Sequence, residues 1–139
     1  MKTAPVTNGR ILCTEDDADT CELITFVLRT EGYEVITTQS SDQALDFAQS
    51  QYFDLYLVDT RLPGMSGPEL TKKLREFDAT TPVLFYSGAA YESDKKKAHE
   101  AGAQGYLVKP VAGDDLIFEV ARLIAEAQIA VAPKVEGSD

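Results

Sequence analysis

The sequence predicts an α/β domain in which helices cover both faces of a five-stranded parallel sheet, a doubly wound (βα)5 architecture. Short β-rich segments alternate five times with helical segments of ten or more residues. That alternation favours right-handed βαβ units and therefore a parallel sheet. In addition, the segments "DLYLVD" and "TPVLFYSG" show no polar alternation, which is typical of strands buried on both faces.

The chain has 139 residues, the size of one ordinary domain. We predict that this domain covers residues 10–131, between a flexible arm over 1–9 and a flexible tail over 132–139. Strands are predicted over 10–14, 33–39, 54–59, 81–88 and 105–110. Helices are predicted over 18–32, 40–51, 67–79, 92–102 and 113–131.

The first helix carries apolar side chains at helical spacing. Leu23, Phe26 and Val27, with Thr30 at the margin, are predicted to form its buried face. Gly32 follows where a C-terminal cap is expected.

Capping residues mark the boundaries of the next three helices. Ser40 or Ser41 is expected to cap the second helix. Pro68 suits the first turn of the third helix, and Gly102 ends the fourth.

The fifth helix carries two apolar stripes when its residues are placed at 100° intervals. The predicted core stripe consists of Leu116, Val120, Leu123, Ile124 and Ala127. The opposite stripe contains Phe118 and Ile129. It either packs against the fourth helix or beneath the tail, or forms a partner or self-association surface, and the sequence leaves both possibilities open.

The composition limits the partners and the location. Thirteen basic residues against 23 acidic ones give a net charge of −10, which disfavours nonspecific binding to nucleic acid or to anionic membranes. No apolar run approaches the ~20 residues that span a membrane, and "MKTAPVTNGR" lacks the apolar centre of a signal peptide. A cytoplasmic location is therefore expected, with Cys13 and Cys21 as reduced thiols and Cys13 in the core.

Polar side chains lie at the carboxyl ends of four of the predicted strands. Glu15 and Asp16 come at the end of the first strand, Asp59 at the end of the third, Ser87 at the end of the fourth and Lys109 at the end of the fifth. In an open α/β sheet, ligands bind at the carboxyl ends of the strands. We therefore expect these side chains to form one cluster, whereas Asp17 is expected to cap the first helix.

The chemistry of this cluster suits phosphoryl transfer. Carboxylate oxygens are ligands that Mg²⁺ prefers. Lys109 and Ser87 supply an ammonium and a hydroxyl that can stabilise the charge of a phosphoryl group in transit. Asp59 is then the candidate nucleophile, and its product is an aspartyl phosphate.

Four motifs carry a family resemblance: "ILCTEDD", "LYLVDTRLPGMSG", "VLFYSGAA" and "GYLVKP". In order and spacing they resemble the receiver domain of bacterial response regulators, over roughly residues 10–130. The resemblance implies a flavodoxin-like fold and a phosphoacceptor role in a two-component system. It also implies that Asp59 receives its phosphoryl group, with the help of Mg²⁺, from a sensor histidine kinase or a phosphotransfer protein.

The resemblance also implies roles for individual residues. The metal ligands would be Glu15, Asp16, Asp59 and the backbone carbonyl of Arg61, with Asp16 a direct ligand. Ser87 would turn toward the phosphate, Tyr106 would swing inward with it, and the Lys109–Pro110 bond would be cis. The switch would act on a downstream protein or a second copy through the surface of the fourth helix, fifth strand and fifth helix.

The family resemblance implies no enzymatic activity beyond phosphorylation of the chain's own Asp59 and slow dephosphorylation. One alternative is a phosphohydrolase of the haloacid dehalogenase type, but that type has a second Asp where this chain has Arg61. Another is a non-phosphorylated receiver that serves only as a binding module, which is expected to lose an acid of the cluster, Asp59 or Lys109, whereas this chain has all of them. The chain is either a stand-alone receiver or a piece of a longer protein.

Overall fold

Five strands and five helices alternate along residues 7–131, the part of the chain that this computed structural model describes. They are β1 (Arg10–Thr14), α1 (Ala18–Thr30), β2 (Glu34–Thr38), α2 (Ser41–Ser50), β3 (Leu55–Val58), α3 (Gly67–Arg75), β4 (Val83–Ser87), α4 (Glu92–Ala101), β5 (Gly105–Val108) and α5 (Gly113–Val131). The predicted fold class is confirmed. The predicted tail and residues 1–6 of the predicted arm lie outside the described residues.

All neighbouring strands pair in parallel, in the order β2-β1-β3-β4-β5. From β1 the chain runs outward to β2, and it then crosses back over β1 to form β3. The direction in which successive strands are added to the sheet therefore reverses between β1 and β3. Such a switch point opens a crevice at the carboxyl ends of the strands. Thr14 pairs with Val58 at that end, so the residues that follow β1 and β3 start side by side.

The core has two layers, one on each face of the sheet. Side chains of β3 alternate between them: Leu55 and Leu57 join the layer under α1 and α5, whereas Tyr56 and Val58 join the layer under α2, α3 and α4. All four residues of β3 and all five of β4 are buried. The absence of polar alternation in these segments therefore reflects burial on both faces, as predicted.

The predicted buried face of α1 is wrong in its two largest residues. Leu23 and Phe26 are 59% and 71% exposed, whereas Ile24 and Leu28 are buried. Val27 is partly buried against the same layer. Apolar residues occur on two sides of this helix, so periodicity alone does not fix its rotation. The rotation is fixed instead by the packing of Ile24 and Leu28 in one layer with the β1 side chains.

Several capping predictions are confirmed. Asp17 caps α1, its carboxylate accepting a hydrogen bond from the Thr20 backbone N–H at 2.9 Å. Of the two serines offered for α2, Ser40 is the cap. Gly102 ends α4 with a φ of 118°, a left-handed conformation that favours glycine.

Four of the five residues predicted for the core stripe of α5 are buried, namely Leu116, Val120, Leu123 and Ile124, whereas Ala127 is only half-buried. The second stripe faces outward, with Phe118 65% and Ile129 76% exposed. Within residues 7–131 neither side chain is covered by α4, and the tail lies outside the described residues. Among the described helices, none combines the length and apolar character needed to cross a membrane.

Candidate functional site

Three carboxylates meet at the carboxyl edge of the sheet. Glu15 and Asp16 directly follow β1, and Asp59 directly follows β3. One oxygen from each carboxylate lies within 4.8 Å of the other two. The backbone N–H of Asp59 donates to the carbonyl of Thr14 at 3.2 Å, which extends the β1–β3 ladder into the site. The parallel pairing of these two strands is therefore what brings the acids together.

The ammonium of Lys109 lies between two of these carboxylates. Its Nζ is 2.5 Å from Glu15 Oε1 and 3.1 Å from Asp59 Oδ2. The backbone N–H of Lys109 donates to the Ser87 carbonyl at 2.9 Å, so the β4–β5 ladder sets the starting point of this side chain. The Lys109–Pro110 bond is cis, as predicted.

The electrostatics of the group follow from partial burial. Burial raises the pKa of the Glu15 carboxyl, against the opposing effects of Lys109 and of the Asp17 backbone N–H. For Lys109, burial alone lowers the pKa, but its hydrogen bonds to Glu15 and Asp59 outweigh burial, and the net pKa is raised. Lys109 is therefore cationic at neutral pH, and the positive charge it supplies offsets part of the charge of the three acids.

An open cleft borders this group on the β4 side. Asp59, Arg61, Ser87, Ala89 and Tyr91 contribute to its lining. Ser87 is buried at the end of β4, and its Oγ accepts a hydrogen bond from the Ala89 backbone N–H at 3.1 Å. The structure thus brings Ser87 to the same cleft as Asp59. The side chain of Arg61 is exposed at the cleft.

Tyr106 already points toward the site. Its ring is stacked on Phe85 with 5.6 Å between centroids and 4° between planes. Its hydroxyl donates to the Ala89 carbonyl at 2.6 Å and lies 3.3 Å from Thr60 Oγ1. The ring is half-buried in β5.

Sequence reasoning assigned no role to Gly67 or Thr60, although both shape the site. A Cβ at Gly67 would lie 2.2 Å from the Asp59 carbonyl oxygen and 2.8 Å from Phe85 Cε2. The Gly67 N–H also donates to the Thr60 carbonyl at 2.7 Å. Gly67, the second glycine of "PGMSG", is a residue type that permits a close backbone approach. Nothing in the sequence indicated that Thr60 faces Tyr106.

Comparison with known proteins identifies the family. Residues 11–121 match the family described as "Response regulator receiver domain". This chain belongs to that family. Among curated relatives of this receiver domain is the cell cycle transcriptional regulator CtrA of Caulobacter vibrioides, 32% identical over 119 residues. That match covers 86% of this chain but 52% of the regulator, so the receiver chain spans about half the length of the curated relatives it matches.

Two solved receiver structures are similar over nearly their whole length. A CheY-like receiver domain protein from Methanospirillum hungatei is 29% identical with a TM-score of 0.83, and the match covers 87% of this chain and 97% of that one. The receiver domain of a sensor histidine kinase from Pseudomonas aeruginosa is 29% identical with a TM-score of 0.79, and the match covers 84% and 98% of the two chains. That structure contains a magnesium ion coordinated in its active site cleft.

The close approach at Gly67 generates a stability prediction. Gly67→Ala forces the new methyl group into backbone and a buried ring, and overpacking of this kind costs about 1–3 kcal/mol. We expect the free energy of unfolding, measured by urea denaturation, to fall by that amount. Gly88→Ala is the matched control, because no atom lies within 4 Å of a Cβ there. Equal stability of the two variants would contradict the close approach.

Proposed function

We propose that this receiver domain accepts a phosphoryl group on the carboxylate of Asp59. The observation that carries the proposal is the position of that carboxylate, in contact with the Lys109 ammonium, grouped with Glu15 and Asp16, and open to the cleft. Its side chain is 13% exposed, so a donor must approach through the cleft. The donor is a phosphohistidine of a sensor histidine kinase or of a phosphotransfer protein, as for other receivers.

The carboxylate group fits a magnesium ion. Glu15, Asp16 and Asp59 offer hard oxygen atoms within 4.8 Å of one another, and Mg²⁺ is usually bound by one or two carboxylates together with waters and phosphate oxygens. The backbone carbonyl of Arg61 would complete the protein ligands. When bound, the ion would offset negative charge on the carboxylates and on phosphate oxygens. The magnesium in the related Pseudomonas aeruginosa receiver supports this assignment.

The residues of the chain orient the acceptor before any donor arrives. The Thr60 backbone N–H donates to Asp59 Oδ1 at 2.6 Å, and Lys109 donates to Oδ2 at 3.1 Å. These two bonds fix the plane of the carboxylate. One carboxylate oxygen then forms a bond to phosphorus as the P–N bond to the donor histidine breaks, and the released imidazole keeps the electron pair of that bond.

Lys109 and Ser87 have complementary roles in this transfer. The Lys109 ammonium can transfer one hydrogen bond from Asp59 to an incoming phosphoryl oxygen. Its other contact, with Glu15, is retained and keeps the ammonium at the site. The Ser87 hydroxyl lines the same cleft and can donate to another phosphoryl oxygen. Both interactions stabilise charge on the phosphoryl group, which is the main catalytic need in such a transfer.

The partners follow from the surface and the charge. We propose that phosphorylation alters the surface of α4, β5 and α5, which carries the exposed Phe118 and Ile129, and that a downstream protein or a second copy binds there. With a net charge of −10, the receiver itself is not proposed to bind nucleic acid or membranes. A cytoplasmic location, with the kinase or phosphotransfer protein, fits this role.

The first test of the function is the site of phosphorylation. Incubation with Mg²⁺ and either acetyl phosphate or phosphoramidate should add one phosphoryl group, detected by intact mass. Asp59→Asn should add none, because an amide is a poor nucleophile. Asp46→Asn, an exposed change on α2, should label like the parent. Full labelling of the Asp59→Asn variant would sink the assignment.

A second test concerns the metal. Chelation with EDTA should stop labelling, because the three acids alone repel an incoming phosphate. Asp16→Asn should weaken Mg²⁺ binding, measured by calorimetry, about tenfold or more, in line with the loss of a direct ligand. Asp19→Asn, in the first turn of α1 but outside the carboxylate group, serves as the control. Labelling that persists in EDTA refutes the metal role.

A third test addresses the second stripe of α5. If it is an interface, the apparent mass in solution, measured by light scattering, should rise with the phosphoryl mimic beryllofluoride. Replacement of Phe118 and Ile129 by Ser should abolish that rise without loss of stability. A parent that stays monomeric in both states would remove self-association and leave only a different partner protein for this surface.

A further inference from the structure

The hydroxyl of Tyr106 connects the two loops that flank Asp59. On one side it contacts the Ala89 carbonyl at 2.6 Å, in the β4–α4 loop. On the other it contacts Thr60 Oγ1 at 3.3 Å, in the β3–α3 loop. A single phenol therefore contacts both the residue that follows the phosphoacceptor and the loop that follows Ser87.

The direction of these hydrogen bonds follows from the available protons. A phenol has one proton to donate, and a carbonyl can only accept. The Tyr106 proton is therefore committed to the Ala89 carbonyl, and the bond on the other side must come from the Thr60 hydroxyl. The result is a chain in which Thr60 donates to Tyr106 and Tyr106 donates to Ala89, and such chains polarise and strengthen one another.

Thr60 is well placed to hold this chain, because its backbone is fixed on both sides. Its N–H donates to Asp59 Oδ1 at 2.6 Å, and its carbonyl accepts from the Gly67 N–H at 2.7 Å. Its side chain then faces Tyr106. A displacement of the Asp59 carboxylate would therefore be transmitted to the Tyr106 ring through Thr60 alone.

The inward ring does not depend on a rotated Ser87. The Ser87 hydroxyl accepts a hydrogen bond from the Ala89 N–H at 3.1 Å, and the Ala89 carbonyl accepts one from the Tyr106 hydroxyl. Ala89 is thus held on both faces, and the ring lies on the fully buried Phe85. The inward ring and the Ser87–Ala89 bond therefore occur together in one arrangement.

We infer that Thr60 is a positioning residue that holds Tyr106 inward and links the ring to Asp59. Its effect on signalling rests on the proposed function, but its effect on the ring does not. A ligand shifts only the populations of existing states. A receiver domain that already favours the inward ring therefore needs less of the phosphorylation free energy to bring the ring inward.

The test compares Thr60→Val, which keeps the shape and removes the hydroxyl, with Thr60→Ser, which keeps the hydroxyl. The readout is the ring resonances of Tyr106 in protein labelled with ¹³C-tyrosine, assigned by their loss in Tyr106→Phe. One neutral hydrogen bond corresponds to a factor of about three to ten in an equilibrium. We expect Thr60→Val to lower the ratio of inward to outward Tyr106 rings by that factor. Because the ring then spends less time stacked on Phe85, its resonances should lose part of the chemical-shift change that the Phe85 ring current causes. Thr60→Ser should keep the parent spectrum.

Beryllofluoride affinity gives a second measurement. A reduced inward population lowers the apparent affinity of any ligand that needs it, so Thr60→Val should bind beryllofluoride more weakly, by no more than the shift in the ring ratio. In a Tyr106→Phe background the same Thr60→Val change should have no effect, because the acceptor hydroxyl is gone. Urea denaturation checks that each variant folds.

The outcomes separate the two proposals. Parent-like ring resonances in Thr60→Val, or a Thr60→Ser protein that behaves like Thr60→Val, would overturn the role of the hydroxyl. An equal loss of affinity with and without the Tyr106 hydroxyl would do so as well. If the parent takes no phosphoryl group on Asp59 but Thr60→Val still releases the ring, the proposed function fails and the positioning role of Thr60 is supported.

Discussion

The contact of Lys109 with Glu15 and Asp59 is the interaction on which the rest of the site depends. Two carboxylate oxygens that lie within 4.8 Å of each other repel by roughly 3 kcal/mol or more at an effective dielectric constant near 20 when both are charged. Within residues 7–131 the ammonium is the cation that contacts this group. Because Glu15 is buried, loss of Lys109 would leave a poorly solvated negative charge.

The sheet connects this chemistry to a more distant surface. Asp59 follows β3, and Phe85 lies in the adjacent strand β4 with the Tyr106 ring of β5 stacked on it. Asp59 and the Tyr106 ring are thus two strands apart, with the buried Phe85 side chain between the ring and the core. Close packing at Gly67, which contacts both the Asp59 backbone and the Phe85 ring, leaves little room for either to move independently. A rigid scaffold of this kind suits discrete states better than gradual deformation.

Much of the site could be predicted because the relevant signals are local. The polar residues Asp59, Ser87 and Lys109 end uninterrupted apolar strands, and parallel pairing brings strand ends to one edge. Caps such as Asp17 depend only on residues within one turn. The core stripe of α5 was predictable as well, because four large apolar residues form it and only two, Phe118 and Ile129, lie in the opposite stripe. No comparable asymmetry marked the buried face of α1.

The sequence by itself therefore determined the alternation of elements, the parallel sheet, helix caps such as Asp17 and Gly102, and the identity of the acids and lysine at the strand ends. Tertiary structure alone decided the rotation of α1, which leaves Leu23 and Phe26 exposed, the close approach at Gly67, and the chain from Thr60 to Tyr106. The physical reason is the range of the interactions. Periodicity and capping act within one or two turns, whereas Thr60 and Tyr106 are 46 positions apart and meet only after three strands have paired.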